Sequence, residues 1–263
     1  MILPNLFLSQ TANQRWTESG LDSARNCFDP HHFSTYPWPV EYCYNSRGFR
    51  DQEWPEDLAD AVWCIGDSFT VGIGCPESHV WPKVLAQKTR RRTINISLDG
   101  ASNAWIARQA RQVLHDIRPR YCVIQWSFLH RTESRIFQKI HHTALSSDPA
   151  HNIPAWRELC KEFADHATVI QSVIPGAAPG IGRQEAEGWW WNLRQPAWPE
   201  TLPDVPPTDC VVPEQFDQHW QLQSILRDYN VILVKQKDRA RDGFHYDIKT
   251  AESFVAEISH RLL

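Results

Sequence analysis

Two short clusters of residues, far apart along the chain, carry side chains suited to nucleophilic chemistry. The first is the segment GDSFTVG at residues 66–72, in which Ser68 follows an apolar run and a glycine. The second is the segment DGFH at residues 242–245. An aspartate three residues before a histidine can accept its Nδ1–H and hold Nε2 toward a serine hydroxyl. We therefore predict Ser68 as nucleophile, His245 as general base and Asp242 as the group that orients the base.

Each cluster also has an ordinary structural explanation. Glycine and aspartate form turns, and serine is a common helix N-cap, so Gly-Asp-Ser alone is weak evidence for a nucleophile. Asp242 and His245 could be only a helix cap beside a surface histidine. Asp67 is expected to accept hydrogen bonds from backbone N–H groups of its own turn, and it is not part of the predicted triad. The presence of both clusters in one chain favours a catalytic role over these structural explanations.

The elements around these clusters indicate an α/β fold. From about residue 60, short apolar runs alternate with amphipathic helices, which predicts a three-layer α/β/α sandwich around a five-stranded, mostly parallel sheet. The predicted strands are Ala61–Ile65, Thr93–Ser97, Tyr121–Trp126, Thr168–Ile174 and Val231–Val234. Ligands gather at the carboxyl ends of parallel strands, and Ser68 follows the first of them directly.

The chain divides into an extension and one domain. Residues 1–58 contain scattered prolines and aromatics without sustained periodicity, so we expect an irregular extension packed on the core. Residues 59–263 form the predicted domain. Within it, residues 176–215 are rich in Pro, Gly and Trp, which indicates a long insertion after the fourth strand.

Composition narrows the possible partners. The formal charge of −4 and the pI of about 6.3 give no overall positive field, so no nucleic-acid or membrane partner is expected. The seven cysteines form no CxxC pair or Cys/His cluster, so no metal is expected. They suit small buried core residues in a reducing compartment, and with no basic leader at the N-terminus this predicts a cytoplasmic location. The sequence gives no indication of oligomeric state.

The two clusters, in this order, resemble the SGNH (GDSL-type) hydrolase superfamily. Its first block reads G-D-S-x-x-x-G and its last block D-x-x-H, and the resemblance covers roughly residues 60–263. It implies a flavodoxin-like fold and ester hydrolysis without a metal or organic cofactor. It also gives Ser68, His245 and Asp242 the same roles as the chemistry above.

Two further family blocks concern the oxyanion hole. The second block is a glycine after the second strand, whose N–H acts with that of the serine, and Gly100 matches it. The third block, G-x-N-D, supplies a side-chain amide and is absent, because residues 125–133 read QWSFLHRTE. Loss of one such donor typically costs about 10²–10³ in rate. Asn103 is the first candidate substitute, and Ser127, His130 and Arg131 are alternatives.

Aromatic residues suggest the substrate. Trp189, Trp190 and Trp191 cannot all point inward from any regular element, so at least one indole should be exposed or lie across a cleft. Flat indoles suit sugar rings, although they could equally pack the insertion onto the core. We therefore expect removal of an acetyl or short acyl group from a small or carbohydrate-like ester. The segment at residues 42–51 is expected to pack across the sheet edge.

Three other functions fit parts of the pattern. The same triad supports acyl transfer to an acceptor other than water if the site excludes water. The missing third block and the tryptophans fit a catalytically weak domain that binds a carbohydrate or a protein. A phosphate-binding loop at residues 66–74 would leave Asp242 and His245 unexplained.

Overall fold

The structure is a computed structural model, and it describes residues 6–18, 39–129, 131–136, 139–143, 149–175, 220–241 and 245–262. Its strands, in chain order, are β1 (Arg15–Glu18), β2 (Val40–Cys43), β3 (Val62–Gly66), β4 (Thr93–Ser97), β5 (Tyr121–Trp126), β6 (Thr132–Ile136), β7 (Lys139–Thr143) and β8 (Val169–Val173). Its helices are α1 (Ser68–Val71), α2 (Trp81–Thr89), α3 (Asn103–Asp116), α4 (Pro149–Ala164), α5 (Trp220–Asp228) and α6 (Ile248–Leu262).

The central sheet has four parallel strands in the spatial order β4, β3, β5, β8. Four of the five predicted strands are confirmed to within two residues. The prediction of a fifth strand at Val231–Val234 is wrong, because this run pairs through a single parallel bridge between Ser172 and Ile232. The run makes two backbone hydrogen bonds to β8, from Val173 N–H to Ile232 O and from Ile232 N–H to Gln171 O.

The sheet is covered on both faces, which confirms the three-layer sandwich. Alternate residues of β3 contribute to two separate hydrophobic clusters, Trp63 and Ile65 to one and Val62 and Cys64 to the other. The first cluster includes apolar residues of α3 and α4, and the second includes those of α2 and α6. Such continuous apolar strands are typical of parallel sheets buried between helices. The layers place the β3–α1 junction at the carboxyl edge of the sheet.

The described part of the N-terminal extension contains a small sheet that periodicity did not indicate. β1 and β2 pair antiparallel over four residues each, too few for a visible alternation. Trp16 supports the pair by stacking on Tyr42 and Tyr44, with ring centroids 5.4 and 4.8 Å away. Phe49 lies in the core against the first hydrophobic cluster. The boundary near residue 58 stays a prediction, and the insertion at residues 176–215 lies outside the described residues.

Arg50 joins this extension to the turn after α1. The residue is 2% exposed, and its guanidinium lies 4.2 Å from the centroid of the Tyr42 ring. Nη1 donates to Gly72 O at 2.5 Å, and Nη2 donates to Cys75 O at 2.8 Å and Glu41 O at 2.9 Å. One buried cation therefore satisfies carbonyls on both segments, which holds residues 41–50 against the α1 turn.

The next residue, Asp51, joins the extension to β4 and α2. Its carboxylate pairs with Arg92 at 3.0 Å and Lys83 at 3.1 Å, and it accepts the Asn95 N–H at 3.1 Å. Arg50 and Asp51, which are adjacent in sequence and opposite in charge, thus bind two different parts of the domain. This fits the expected packing of residues 42–51 across the sheet edge.

Four described cysteines lie in the core as small apolar residues, as the sequence suggested: Cys64, Cys75, Cys122 and Cys160. Burial raises the pKa of the Cys122 thiol to about 12, and it raises the pKa of Cys64 and Cys160 well above the usual value. These thiols therefore stay protonated at neutral pH. Cys27 and Cys210 lie outside the described residues.

No helix among the described residues has the length and apolar character needed to span a bilayer. No group of three or more His, Cys, Asp or Glu side chains there is placed to hold a metal ion.

Replacement of Arg50 by Met is expected to destabilise the protein. The substitution leaves several buried carbonyls without donors, and each such loss costs about 1–3 kcal/mol. We expect the free energy of unfolding to fall by about 3 kcal/mol, or roughly 6–12 °C in Tm for a domain of this size. Arg227→Met is the control, because Arg227 is 79% exposed and pairs only with its neighbour Asp228 within the described residues. Equal melting temperatures for Arg50→Met and wild type would contradict this role.

Candidate active site

The turn after β3 explains the two glycines that flank the serine. A Cβ at Gly66 would collide with Thr70 Oγ1. Gly72 has φ 76°, in the left-handed region that glycine adopts without strain, and a Cβ there would collide with Val80. Both positions of the G-D-S-x-x-x-G pattern are therefore set by close packing around a one-turn helix that begins at Ser68.

Ser68 has polar groups available for chemistry. Asp67 Oδ1 accepts the Phe69 N–H at 3.0 Å, and Asp67 O accepts those of Thr70 and Val71 at 3.0 and 2.9 Å. The Ser68 N–H, which a helix cannot satisfy internally, remains for an external acceptor. Ser68 is 1% exposed, and its Oγ makes no hydrogen bond within the described residues. A buried serine with its hydroxyl and N–H uncommitted suits a nucleophile beside an oxyanion hole.

The structure brings His245 from the end of the sequence to this turn. Its ring centroid lies 4.5 Å from that of Phe69, the neighbour of Ser68, and the residue is 7% exposed. Tyr246 stacks on the same Phe69 with centroids 5.6 Å apart, and Cys75 Sγ donates to Tyr246 O at 2.9 Å. The loop before α6 is therefore packed directly on the turn that presents Ser68.

Several predicted site contacts stay predictions. The hydrogen bond expected between Ser68 Oγ and His245 is absent from the structure. Contacts between nucleophile and base are often loose without substrate, so the pairing of Ser68 with His245 stays a prediction. The orienting residue Asp242 lies outside the described residues, as does His130. The same is true of the predicted substrate contacts Trp189–Trp191.

Gly100 lies in the loop after β4, at the same edge of the sheet. Its φ of 74° is in the left-handed region, and a Cβ there would meet no atom within 4 Å. Glycine is therefore favoured by backbone conformation, and the space beside it is open. The Leu98 N–H donates to Gly66 O at 3.3 Å, which holds this loop beside the end of β3. The oxyanion role of Gly100 stays a prediction.

Asn103, the first substitute proposed for the missing amide, binds the loop after β5. Its Oδ1 accepts the Ser127 N–H at 2.7 Å, and its Nδ2 donates to Ser127 O at 3.1 Å. The amide is 8% exposed and is used as a two-point backbone anchor. One Nδ2 hydrogen is not engaged by these two bonds, so a contribution to an oxyanion hole stays a prediction.

Asp67 is the centre of the polar contacts in this region. Ser127 Oγ donates to its Oδ2 at 2.5 Å, and Arg131 Nη1 donates to the same oxygen at 2.8 Å. The carboxylate is fully buried, and 13% of the Arg131 side chain is exposed. We call Asp67, Asn103, Ser127 and Arg131 the Asp67 network. It connects the three loops that follow β3, β4 and β5.

The sequence predicted one part of this network and missed another. Asp67 was expected to accept a backbone N–H of its turn, and its bond to Phe69 confirms that. Its ion pair with Arg131 was not predicted. The one indication in the sequence was the loop after β5, which has Ser127 and Arg131 where the SGNH motif has an amide. Nothing in the sequence says that these side chains turn toward Asp67.

Comparisons with known proteins find similarity only among solved structures. No family model and no curated protein matches the sequence. The lipase/acylhydrolase from Enterococcus faecalis is 15% identical with a TM-score of 0.45, covering 77% of this chain and 95% of that one. AlinE4, an SGNH-hydrolase family esterase, is 16% identical with a TM-score of 0.37, covering 80% and 97%. The psychrotrophic esterase EstA from Pseudoalteromonas is 12% identical with a TM-score of 0.40, covering 77% and 96%.

These neighbours are named as esterases or acylhydrolases, the class of enzyme that the sequence motifs resemble. The α/β architecture follows from the strand order and the two covered faces of the sheet.

Replacement of Asn103 by Ala separates anchoring from catalysis. The change leaves a buried N–H and a buried C=O of Ser127 without partners, so we expect the free energy of unfolding in urea to fall by about 2 kcal/mol. The control Arg111→Ala, on the same helix, removes an exposed ion pair with Glu162 and should cost at most about 1 kcal/mol. If kcat/KM per folded molecule is unchanged in Asn103→Ala, Asn103 is not the third oxyanion donor.

Proposed function

We propose that this protein is a serine hydrolase that cleaves acyl esters through Ser68, His245 and Asp242. One observation carries the proposal. A buried serine with an uncommitted hydroxyl lies at the carboxyl end of a central parallel strand, and a histidine ring packs on the next residue. This is the position at which open α/β sheets bind ligands. The resemblance to the SGNH motifs adds the reaction class.

The proposed reaction begins with attack by Ser68. His245 takes the hydroxyl proton while Oγ attacks the acyl carbon, and Asp242 holds the imidazole in the required orientation. The N–H groups of Ser68 and Gly100 bind the oxyanion that forms. His245 then protonates the departing alcohol, and a water activated by His245 releases the acyl group. No metal or organic cofactor takes part.

The arrangement of N–H groups supports this assignment. Asp67 already occupies the N–H groups of Phe69, Thr70 and Val71, which leaves that of Ser68 as the donor at the start of α1. The Gly100 loop is held beside β3 through Gly66 O, so its backbone lies at the same edge. Donors fixed in this way need no reorganisation when charge develops, which is the source of their catalytic effect.

The substrate class is proposed as a small or carbohydrate-like acyl ester, with removal of an acetyl or short acyl group. The proposal rests on the tryptophan-rich sequence of residues 176–215, which comes after β8 along the chain, and β8 ends at the sheet edge where Ser68 lies. A domain that only binds a carbohydrate or protein is the alternative favoured by the missing third block. Acyl transfer is a variant of the same chemistry, and product analysis with candidate acceptors distinguishes it from hydrolysis.

Fluorophosphonate labelling tests the nucleophile. We expect wild type to be labelled covalently and to hydrolyse p-nitrophenyl acetate, and Ser68→Ala to do neither. His245→Ala should lose about 10⁴-fold or more in kcat, because the proton acceptor is gone. Ser253→Ala is the matched control, since Ser253 is a half-buried serine on α6 whose hydroxyl donates to Lys249 O. Unlabelled, inactive wild type would favour the binding module.

A triple replacement of Trp189, Trp190 and Trp191 by Ala tests the substrate surface. If the insertion lines the cleft, kcat/KM should fall for an acetylated oligosaccharide and stay constant for p-nitrophenyl acetate, which needs only the triad. Acetate release and the p-nitrophenyl assay measure the two rates. Equal losses on both substrates, with a lowered Tm, would show that the indoles are core residues.

A further inference from the structure

We propose that Arg131 is a positioning residue that acts through Asp67, neutralising the carboxylate next to the nucleophile and fixing the turn that presents Ser68. The inference rests on the proposed function, because it assigns a role in the same site. It gives the loop after β5 a task that differs from donating an amide to the oxyanion.

The geometry joins Arg131 to the nucleophile turn through one carboxylate. Asp67 Oδ1 accepts the Phe69 N–H at 3.0 Å and so caps the helix that begins at Ser68. Its Oδ2 accepts Arg131 Nη1 at 2.8 Å and Ser127 Oγ at 2.5 Å. The two oxygens thus bind different loops, and any rotation of the carboxylate breaks contacts on both sides.

The position of Arg131 is itself fixed by its surroundings. Its guanidinium carbon lies 4.8 Å from the centroid of the Phe128 ring, and Phe128 packs edge-on against Phe69 with centroids 6.0 Å apart. Nη1 also donates to Ser127 Oγ at 3.0 Å. The contact of Phe128 with Phe69 and the ion pair of Arg131 with Asp67 therefore bind the loop after β5 to both neighbours of Ser68.

The ion pair between Asp67 and Arg131 affects the proposed reaction through its charges. A fully buried carboxylate must be paired, because the protein interior does not solvate its charge as water does. In the proposed reaction, negative charge develops on the acyl oxygen beside the Ser68 N–H, one residue from Asp67. An unpaired carboxylate there would repel this charge in a medium of low dielectric constant, whereas a paired one contributes little net field.

Other groups around Asp67 do not replace the cation. Burial is the main cause that raises the pKa of Tyr246 well above its usual value, and the negative charge of Asp67 adds to the rise, so the phenol is neutral at pH 7. Ser127 donates a neutral hydroxyl. Among the described residues, Arg131 is the one cation in ion-pair contact with Asp67. The charge of Asp67 is therefore balanced from the loop after β5.

A double-mutant cycle tests the inference with Arg131→Met, Asp67→Asn and the double variant, each assayed with p-nitrophenyl acetate and corrected for the folded fraction. Asn at position 67 retains an acceptor for the Phe69 N–H, and the double variant removes both charges. We expect Arg131→Met to lower kcat about 100-fold with KM unchanged. The double variant should recover to within about tenfold of wild type. Arg131→Lys, which keeps the charge but not the planar fork, should lie between wild type and Arg131→Met.

Arg108→Met is the matched control. Arg108 forms a two-point ion pair with Glu133 on β6, a few residues beyond Arg131, and has no bond to Asp67 among the described residues. Its kcat should equal that of wild type. If Arg131→Met keeps wild-type kcat, or if the double variant is as slow as Arg131→Met, the charge-balancing role is overturned.

Hydrogen exchange of the peptide covering residues 67–72 gives a second readout that does not depend on turnover. Arg131→Met should exchange at least tenfold faster there than wild type, and Arg108→Met should not. A wild type that hydrolyses no ester would overturn the proposed function. Unchanged exchange in Arg131→Met would overturn the positioning role separately.

Discussion

The site depends on how the chain leaves β3. The backbone passes from a strand buried on both faces into a one-turn helix within two residues, and it must do so with Ser68 at the first helical position. Gly66 allows the close approach of Thr70, and Gly72 ends the turn in left-handed backbone. Asp67 caps the helix and occupies the N–H groups that follow Ser68. This arrangement leaves the hydroxyl and N–H of one residue uncommitted at the sheet edge.

Buried charges hold this turn from both ends. Asp67 at its start pairs with Arg131 of the loop after β5, and Arg50 of the N-terminal extension binds carbonyls at its end. Charged groups in an interior are costly unless they are paired or hydrogen-bonded, so the loss of these partners would destabilise the turn. The extension and the loop after β5 therefore both hold the turn that contains Ser68, as β3 does. A substitution of Arg50 should mainly lower the free energy of unfolding, because its partners are backbone carbonyls.

Much of the fold could be predicted because it depends on local patterns. Apolar runs and helical stripes give β3, β4, β5 and β8, since parallel strands are covered on both faces. The run at Val231–Val234 has the same composition, but its pairing depends on an edge position that composition does not encode. β1 and β2 were missed because four-residue strands held by stacked aromatics leave no periodic signal.

Part of the candidate site could likewise be predicted from local patterns, and part of it could not. Ser68 and His245 could be singled out as candidates because turn chemistry and motif spacing are local, and the fold brings the His245 ring onto Phe69, the residue after Ser68. The partners of Asp67 could not, because an ion pair between residues 67 and 131 depends on side-chain direction across two loops. Asn103 was predicted as a candidate oxyanion donor, and its amide binds the Ser127 backbone, a contact that residue type alone does not reveal.

The most direct test of the central claim is the crystal structure of the protein after reaction with a small fluorophosphonate, whose tetrahedral phosphorus resembles the intermediate of acyl transfer. The account predicts a covalent bond from Ser68 Oγ to phosphorus. It also predicts a phosphonyl oxygen about 2.7–3.1 Å from the N–H groups of Ser68 and Gly100, with His245 in contact with the adduct. Phosphorus attached to another residue, or a phosphonyl oxygen turned away from both N–H groups, would contradict it.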